Sequence, residues 1–328
     1  MIKDLNGDVS ILDGKASYTT KQIDIDFDEL HFTLSNTDMK IRGNRFKYQT
    51  DLFDFNTNIP NWIDVFLEKS QTITIGGKMN FDMFTTSIWS DFFNKFDASE
   101  DTTSFVEVQI DKLKLDVNTL HFNKALFHDV EIQHLELKEQ IDLHYVKAKG
   151  QGGDYYFENI KINNLDDGYS ILTKGELNRI SVDKLLYEFD DFEQTYINSN
   201  QIKGEISSAF KASFFINPSK SFDLKSLTFN SDNSFQHVKL IDYNYIAEIV
   251  DYFDESMITR NIVDIPYYKQ KSKKIIFKPF RNNMSFKDGK LNISPTYLEN
   301  NMLNLNLKGT QTISDSVDYY MSCLLYTS

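Results

Sequence analysis

Apolar and polar residues alternate along much of the chain, which is the period of a β-strand with one buried and one solvated face. The same pattern recurs at residues 23–27, 106–110, 113–117 and 141–145. We therefore predict half-buried antiparallel strands throughout. The clearest run alternates Leu303, Leu305 and Leu307 with Asn304, Asn306 and Lys308.

The alternation changes phase at Asp111-Lys112 and again between Ile132 and Leu135. A slip of one residue turns every later side chain to the opposite face, so a β-bulge or a strand break is expected at each place. Turn-forming segments at 13–14, 167–168, 217–219 and 288–289 predict hairpins between the runs. These features predict a mainly β fold, a long curved antiparallel sheet that forms a groove, with a few short α-helices.

Helical spacing is confined to short segments. One follows Pro60, a residue favoured at helix starts, and a second covers residues 88–96. The third, residues 243–258, is predicted to lie on a sheet or to cap its end. Its apolar stripe indicates either ordinary packing, the more common case, or contact with lipid, and consists of Ile246, Ile249, Val250, Phe253 and Met257.

The polar segment 98–104 is the best candidate for a linker. It divides the chain into an N-terminal β-rich segment with short helices, residues 1–100, and a β-sheet region, residues 101–321. Residues 322–328 break the preceding alternation, and we expect them to be a non-native tail. Met1 is interpreted as an internal start.

Composition narrows the function classes. Hydrophobic residues make up 41% of the chain, and the formal net charge is −13. This charge argues against a nucleic-acid surface, because phosphate binding needs clustered Lys and Arg. The lone Cys323 excludes an internal disulfide. The longest apolar runs fall well short of the roughly 20 residues that span a bilayer, and no signal-type segment follows Met1.

Motifs for catalysis or metal binding are missing from the sequence. The six histidines form neither an HExxH motif nor a paired Cys/His spacing, and no Gly-x-Ser-x-Gly elbow occurs. The glycine-rich step 150–153 precedes a strand-like run rather than the helix whose N-terminus would hold a phosphate. We therefore predict no cofactor, no metal, no catalytic residue and a protein that is not an enzyme.

Two polar clusters have competing interpretations. Asp24, Asp26 and Asp28 are either the wet face of one strand or, in a carbohydrate-active protein, paired catalytic carboxylates. The only dense basic cluster lies either in a solvated hairpin loop or against phospholipid headgroups, where each charge contributes roughly 1 kcal/mol. This cluster comprises Lys269, Lys271, Lys273 and Lys274.

Four blocks of the chain, in their order, resemble AsmA-like envelope proteins of the Bacteroidetes type. The first, 125–153, begins with Phe127-His128-Asp129-Val130 and closes on a Gly-Gly step. The second joins Phe192-Glu193-Gln194 to a strand that opens at Gly204. The third, 240–253, matches a short helix, and the fourth, 280–319, matches the closing strands. The family's N-terminal membrane helix has no counterpart in this sequence.

The resemblance implies a periplasmic protein of a Gram-negative cell whose full-length parent is anchored in the inner membrane. The implied function is phospholipid transport between the inner and outer membranes, or outer-membrane biogenesis. The implied partners are phospholipid acyl chains, a membrane reached through a segment absent from this chain, and unidentified envelope proteins. The residues expected to line the apolar groove are Leu303, Leu305, Leu307, Ile141, Leu143 and Ile246.

Physical chemistry agrees with the implied function. Exposing two acyl chains of about 30 methylenes to water costs roughly 25 kcal/mol at about 0.8 kcal/mol each, so a carrier needs a continuous apolar lining. Two alternatives stay open at this stage. One is a structural or scaffold β-protein of the envelope with a closed core and no ligand, and the other is the carbohydrate-active protein.

Overall fold

The computed structural model describes residues 6–19, 22–97, 107–138, 140–165, 167–193, 197–216, 222–255, 264–302, 304–312 and 317–324. This part of the chain is mainly β, with 17 strands and five short α-helices, which confirms the predicted fold class. It divides into two compact units, Met1–Gly150 with Tyr156–Asp166 and Gln151–Tyr155 with Asp167–Ser328. The predicted linker, 98–104, lies outside the described residues, and the division near residue 100 stays a prediction.

The first unit is an open sheet in which each strand pairs with the next. All these pairs are antiparallel except β5–β6, which is parallel and so departs from the predicted antiparallel order. A parallel pair needs a crossover, and a helix occupies that connection. The elements are β1 Gly7–Tyr18, β2 Ile23–Leu34, β3 Met39–Tyr48, β4 Asp51–Ile59, α1 Trp62–Phe66, β5 Thr72–Thr85, α2 Thr86–Asp97, β6 Glu107–Phe122, β7 Ala125–Leu137, β8 Gln140–Gly150 and most of β9 Gly153–Leu165.

The second unit is antiparallel throughout its described pairs. Its long strand β12 pairs with β11 along one edge and with both β13 and β14 along the other. The elements are β10 Gly168–Ser181, α3 Val182–Glu188, a 3-10 helix Asp190–Glu193, β11 Ile202–Ile216, β12 Phe222–Ile241, α4 Asn244–Glu255, α5 Ile265–Ser272, β13 Lys274–Ile276, β14 Phe280–Lys287, β15 Lys290–Glu299, β16 Asn304–Thr312 and β17 Val317–Leu324.

Both predicted phase slips are β-bulges. The β6–β7 register shifts between Ile110 and Leu113, where Lys112 has φ 54°, and again beside His134, where φ is 51°. Similar shifts accompany Arg45 in β3 and Arg179 in β10. Each bulge adds a residue to one strand, so the apolar side chains stay on one face although the sequence phase changes.

The predicted turns had mixed outcomes. Asp288-Gly289 forms the turn of the β14–β15 hairpin, as expected. Asp13-Gly14 does not form a turn, because both residues lie inside β1, with Asp13 at φ 49° and Gly14 paired with Phe27. The segment 217–219 lies outside the described residues.

A buried carboxylate attaches α2 to the sheet of the first unit. Asp51 is fully buried at the start of β4, and its Oδ2 accepts hydrogen bonds from the Thr85 backbone N–H (2.8 Å) and from Trp89 Nε1–H (2.9 Å). Trp89 packs edge-on against Phe53 and Phe81, each at 5.5 Å between ring centroids. The helix predicted over 88–96 is therefore observed as α2, and its Trp89 covers Phe53 and Phe81 of the sheet.

The helix predicted over 243–258 is observed as α4, and it packs with α5 near the ends of β12 and β13. A buried cluster joins Val250 of α4 to Tyr268 of α5, Ile275 and Met302. Packing thus accounts for Val250, the member of the predicted stripe whose side chain is described. Met257 lies outside the described residues, as do the side chains of Ile246, Ile249 and Phe253.

Replacing Trp89 by Phe should destabilise the first unit. The ring contacts would be largely retained, but buried Asp51 would lose one hydrogen bond, which costs about 1–3 kcal/mol. Urea unfolding followed by far-UV circular dichroism measures the change. Trp62→Phe is the matched control, because the bond from Trp62 to Ser35 O (3.0 Å) is only partly buried. Equal losses in the two variants would contradict the role given to Asp51.

Candidate functional site: an apolar sheet face

The most extensive apolar feature of the first unit is a single line of side chains that crosses eight strands. Directly paired residues share a face, so the strand registers place these side chains next to one another. At about 4.8 Å per strand, the line is roughly 34 Å long. It runs from β1 to β8 through Ile11, Leu30, Gly43, Phe55, Met79, Leu115, Ile132 and Val146, and we call it the apolar line.

The apolar line is partly open to solvent. Ile11 is 44% exposed, and Gly43 is buried. The other members of the apolar line are half-buried. The parallel row that continues towards α2 is different, because all of its members are at most 8% exposed. That buried row is Phe46, Phe53, Phe81, Val117 and Val130, in register across β3 to β7. One face of the sheet therefore has a covered end and an uncovered stretch.

Two predicted groove residues of β8 pair with apolar residues of β7. Ile141 pairs with Leu137, which continues the row to Ile110, and Leu143 pairs with Leu135. Ile141 and Leu143 are both half-buried. The sequence pattern did not predict most of the apolar line. Alternation within each strand indicated which residues share a face, but the residues that meet across strands depend on register.

The predicted groove residues of the second unit have a similar setting. Leu305 and Leu307 of β16 are half-buried, and they pair with Leu298 and Thr296 of β15. Leu303 lies outside the described residues, and so does the side chain of Ile246. Asn304 was predicted on the solvent-exposed face of its strand, and this prediction is wrong, because Asn304 is buried, with 7% of its surface exposed.

A polar patch interrupts the face of the second unit. Ser208 Oγ donates to Asn233 Oδ1 (2.7 Å), and Asn233 Nδ2 donates to Ser231 Oγ (2.9 Å) and Asn282 Oδ1 (3.1 Å). All four residues are buried. Because these polar groups bond one another, their burial is compensated. The described apolar rows are accordingly less continuous in this unit than in the first.

The predicted basic cluster does not form a hairpin loop. Its first two members lie in helix α5, and the other two follow directly, with Lys274 opening β13. Lys269 Nζ lies 2.9 Å from Asp254 Oδ2 and 3.1 Å from Asp251 Oδ1, and these carboxylates raise the pKa of Lys269. Lys271 Nζ lies 5.4 Å from the Tyr267 ring centroid. Lys273 and Lys274 are exposed.

The acidic residues of β2 point to solvent. Asp24 accepts a hydrogen bond from Ser17 Oγ (2.6 Å) and lies 3.6 Å from Lys15 Nζ. The Ser17 hydrogen bond is the main cause of a lowered pKa of Asp24, with partial desolvation opposing it and Lys15 adding to it. A glycosidase acid needs a raised pKa, so Asp24 is poorly suited to that role. Asp26 and Asp28 are also exposed, and Asp28 lies 3.5 Å from Arg45.

Within the described residues, no group of three or more His, Cys, Asp or Glu side chains is placed to hold a metal ion. Of the helices in the same part of the chain, none is both long and apolar enough to cross a bilayer. Comparison of the chain with protein-family models, with curated proteins and with solved structures gave no match. The functional interpretation therefore depends on the apolar face itself and on the sequence resemblance.

The pKa of Asp24 can be checked directly. We expect Ser17→Ala to raise it towards its ordinary value of about 3.9, because the main hydrogen bond to the carboxylate is lost. Ser10→Ala on the same strand is the control, since Ser10 bonds His31 instead. The measurement is an NMR pH titration of the Asp24 carboxyl carbon, and a wild-type pKa raised above the ordinary value of an aspartate would favour the catalytic alternative.

The lowered pKa also fixes the sign of a pH effect. A carboxyl group whose folded-state pKa lies below its unfolded value stabilises the folded state fully above the unfolded pKa. That contribution is lost as the pH falls through the folded pKa. Asp24 therefore adds to acid sensitivity and makes no contribution that varies near neutral pH.

Proposed function

We propose that this protein is a non-enzymatic carrier that shelters phospholipid acyl chains on its apolar sheet face. The observation that carries the proposal is the apolar line, eight strands wide and partly open to solvent. A half-buried row of this length leaves hydrocarbon surface that a ligand can cover. Covering apolar surface is favourable by roughly 25 cal/mol per Å².

The size of the apolar line suits an acyl chain. The hydrocarbon core of a bilayer is about 30 Å thick, so one leaflet's chains occupy roughly 15 Å. The line, at roughly 34 Å, exceeds that length about twofold. Side chains such as Phe55, Met79 and Leu115 present no charge along it, which suits a ligand that is itself uncharged over most of its length.

The sequence resemblance to AsmA-like proteins supports the cellular setting of this proposal. A carrier of this kind would work in the periplasm of a Gram-negative cell, with its full-length parent anchored in the inner membrane, and would move phospholipid towards the outer membrane. The half-buried state of the apolar line favours the carrier over the closed-core scaffold. In a sealed core, the side chains of this line would be as buried as those of the row beneath α2.

Lipid should co-purify with the protein, and Leu115→Glu should remove it. A carboxylate in the middle of the apolar line would be desolvated by a bound acyl chain, so we expect binding of a fluorescent fatty acid to weaken at least tenfold. The measurements are mass spectrometry of extracted lipid and a fluorescence titration. Leu172→Glu is the matched control, because Leu172 is 49% exposed in β10.

Two outcomes would contradict the carrier. One is a lipid-free protein that also fails to bind added fatty acid, which favours the scaffold. The other is an equal loss of binding in Leu115→Glu and Leu172→Glu, which indicates a general effect of charge. Far-UV circular dichroism of both variants establishes whether they are folded.

We also propose that the basic residues near α5 meet anionic headgroups, one of the two interpretations that their sequence left open, but that they do so unequally. Replacing Lys271, Lys273 and Lys274 together by Gln should weaken binding to phosphatidylglycerol vesicles, by roughly 1 kcal/mol for each charge. Lys269→Gln should change it less, because Asp251 and Asp254 already compensate Lys269. Vesicle co-sedimentation measures both, and unchanged binding in the triple variant would favour a merely solvated cluster.

A further inference from the structure

A polar cleft lies on the face of the first unit opposite the apolar line. His31, Arg42, Asn56 and Lys78 are in direct register across β2 to β5, each adjacent in sequence to a member of the apolar line. Successive residues of a strand point to opposite faces, so this second row lies on the other side of the sheet. The cleft has a volume of about 540 Å³, within the usual range for small-molecule sites.

The cleft is basic although the chain is strongly acidic. Three of its lining residues are cations, Lys40, Arg42 and Lys78, and no acidic residue lines it in the described structure. Arg42 is exposed and makes no ion pair within the described residues. Lys78 is held by Asp116 at 2.7 Å, whereas Lys40 is 3.9 Å from Asp38. Arg42 is therefore the cation most available to an anionic ligand.

Neutral hydrogen-bonding groups complete the lining. Asn56, Asn58 and Thr33 contribute amide and hydroxyl groups beside the cations. His31 is held by Ser10 Oγ at 2.7 Å from its Nδ1 and by Thr33 Oγ1 at 3.2 Å from its Nε2, and Asp8 Oδ1 lies 3.6 Å from the same Nε2. A planar guanidinium together with ammonium and amide donors is the set that recognises phosphate oxygens.

A glycine keeps the cleft open. Gly77 has φ 128°, which L residues with side chains rarely adopt, and it lies at the β5 bulge between Ile75 and Lys78. A Cβ at this position would lie 2.2 Å from Asn56 O. The bulge thus needs glycine, and the missing side chain leaves room beside Asn56 and Lys78.

We infer that this cleft binds a phosphate-bearing anion, with Arg42 as its principal contact. The phosphate could belong to a free small molecule or to a phospholipid headgroup, since both present the same oxygens. The inference does not rest on the proposed carrier function, because the cleft and the apolar line occupy opposite faces. A variant in one can therefore be tested without altering the other.

Calorimetric titration of the full chain with pyrophosphate at low ionic strength tests the inference. We expect binding that weakens about tenfold in Arg42→Gln, because a charge-assisted bidentate contact is lost. The affinity of Arg42→Lys for pyrophosphate should lie between those of the wild type and Arg42→Gln, since lysine keeps the charge but not the forked pair of donors. Arg281→Gln, an exposed arginine of β14 in the second unit, is the matched control and should bind as the wild type does.

Vesicles distinguish the two sources of phosphate. Pyrophosphate binding that depends on Arg42 supports a free phosphate compound. Binding to phosphatidylglycerol but not phosphatidylcholine vesicles that depends on Arg42, without pyrophosphate binding, supports a headgroup. Absence of both, or an equal loss in Arg281→Gln, overturns the inference. Leu115→Glu should leave pyrophosphate binding unchanged while it removes fatty acid, so the failure of one proposal is separable from the failure of the other.

Discussion

Strand register is the constraint on which the described surfaces of this protein depend. Backbone hydrogen bonds place one residue of each strand opposite one residue of the next, and these partners share a face. The apolar line exists because eight strands of the first unit hold this alignment from Ile11 to Val146. A slip of one residue in any of these strands would exchange apolar and charged side chains between the faces.

The bulges preserve this alignment where the sequence changes phase. Lys112 and His134 adopt left-handed backbone conformations that absorb one residue each, so Leu113 and Leu135 return to the apolar face. The helices have a complementary role at the ends of the strands. In the first unit, Asp51 and Trp89 fix α2 over the buried row, whereas the apolar line beside it is left half-buried.

Opposite faces of one sheet thus carry different chemistries within the first unit. Phe55 belongs to the apolar line, while its neighbour Asn56 lines the basic cleft. The two chemistries can coexist because successive side chains of a strand point to opposite faces of the sheet. A strand buried on both faces would instead be apolar on both. The two proposed ligands, a hydrocarbon chain and a phosphate, would consequently bind without competing for the same side chains.

The sequence by itself determined the β class, the two bulge positions, the short helices and the facing of residues such as Leu305 and Leu307, because these follow from local period and phase. Only the tertiary structure decided which strands pair, that β5 and β6 run parallel, that Asp13-Gly14 stays inside a strand, and that Asn304 is buried. It also placed Lys269 between two carboxylates and brought Arg42 and Lys78 to one cleft. These features depend on contacts between residues far apart in the chain, and a local pattern carries no information about which distant strand will lie alongside.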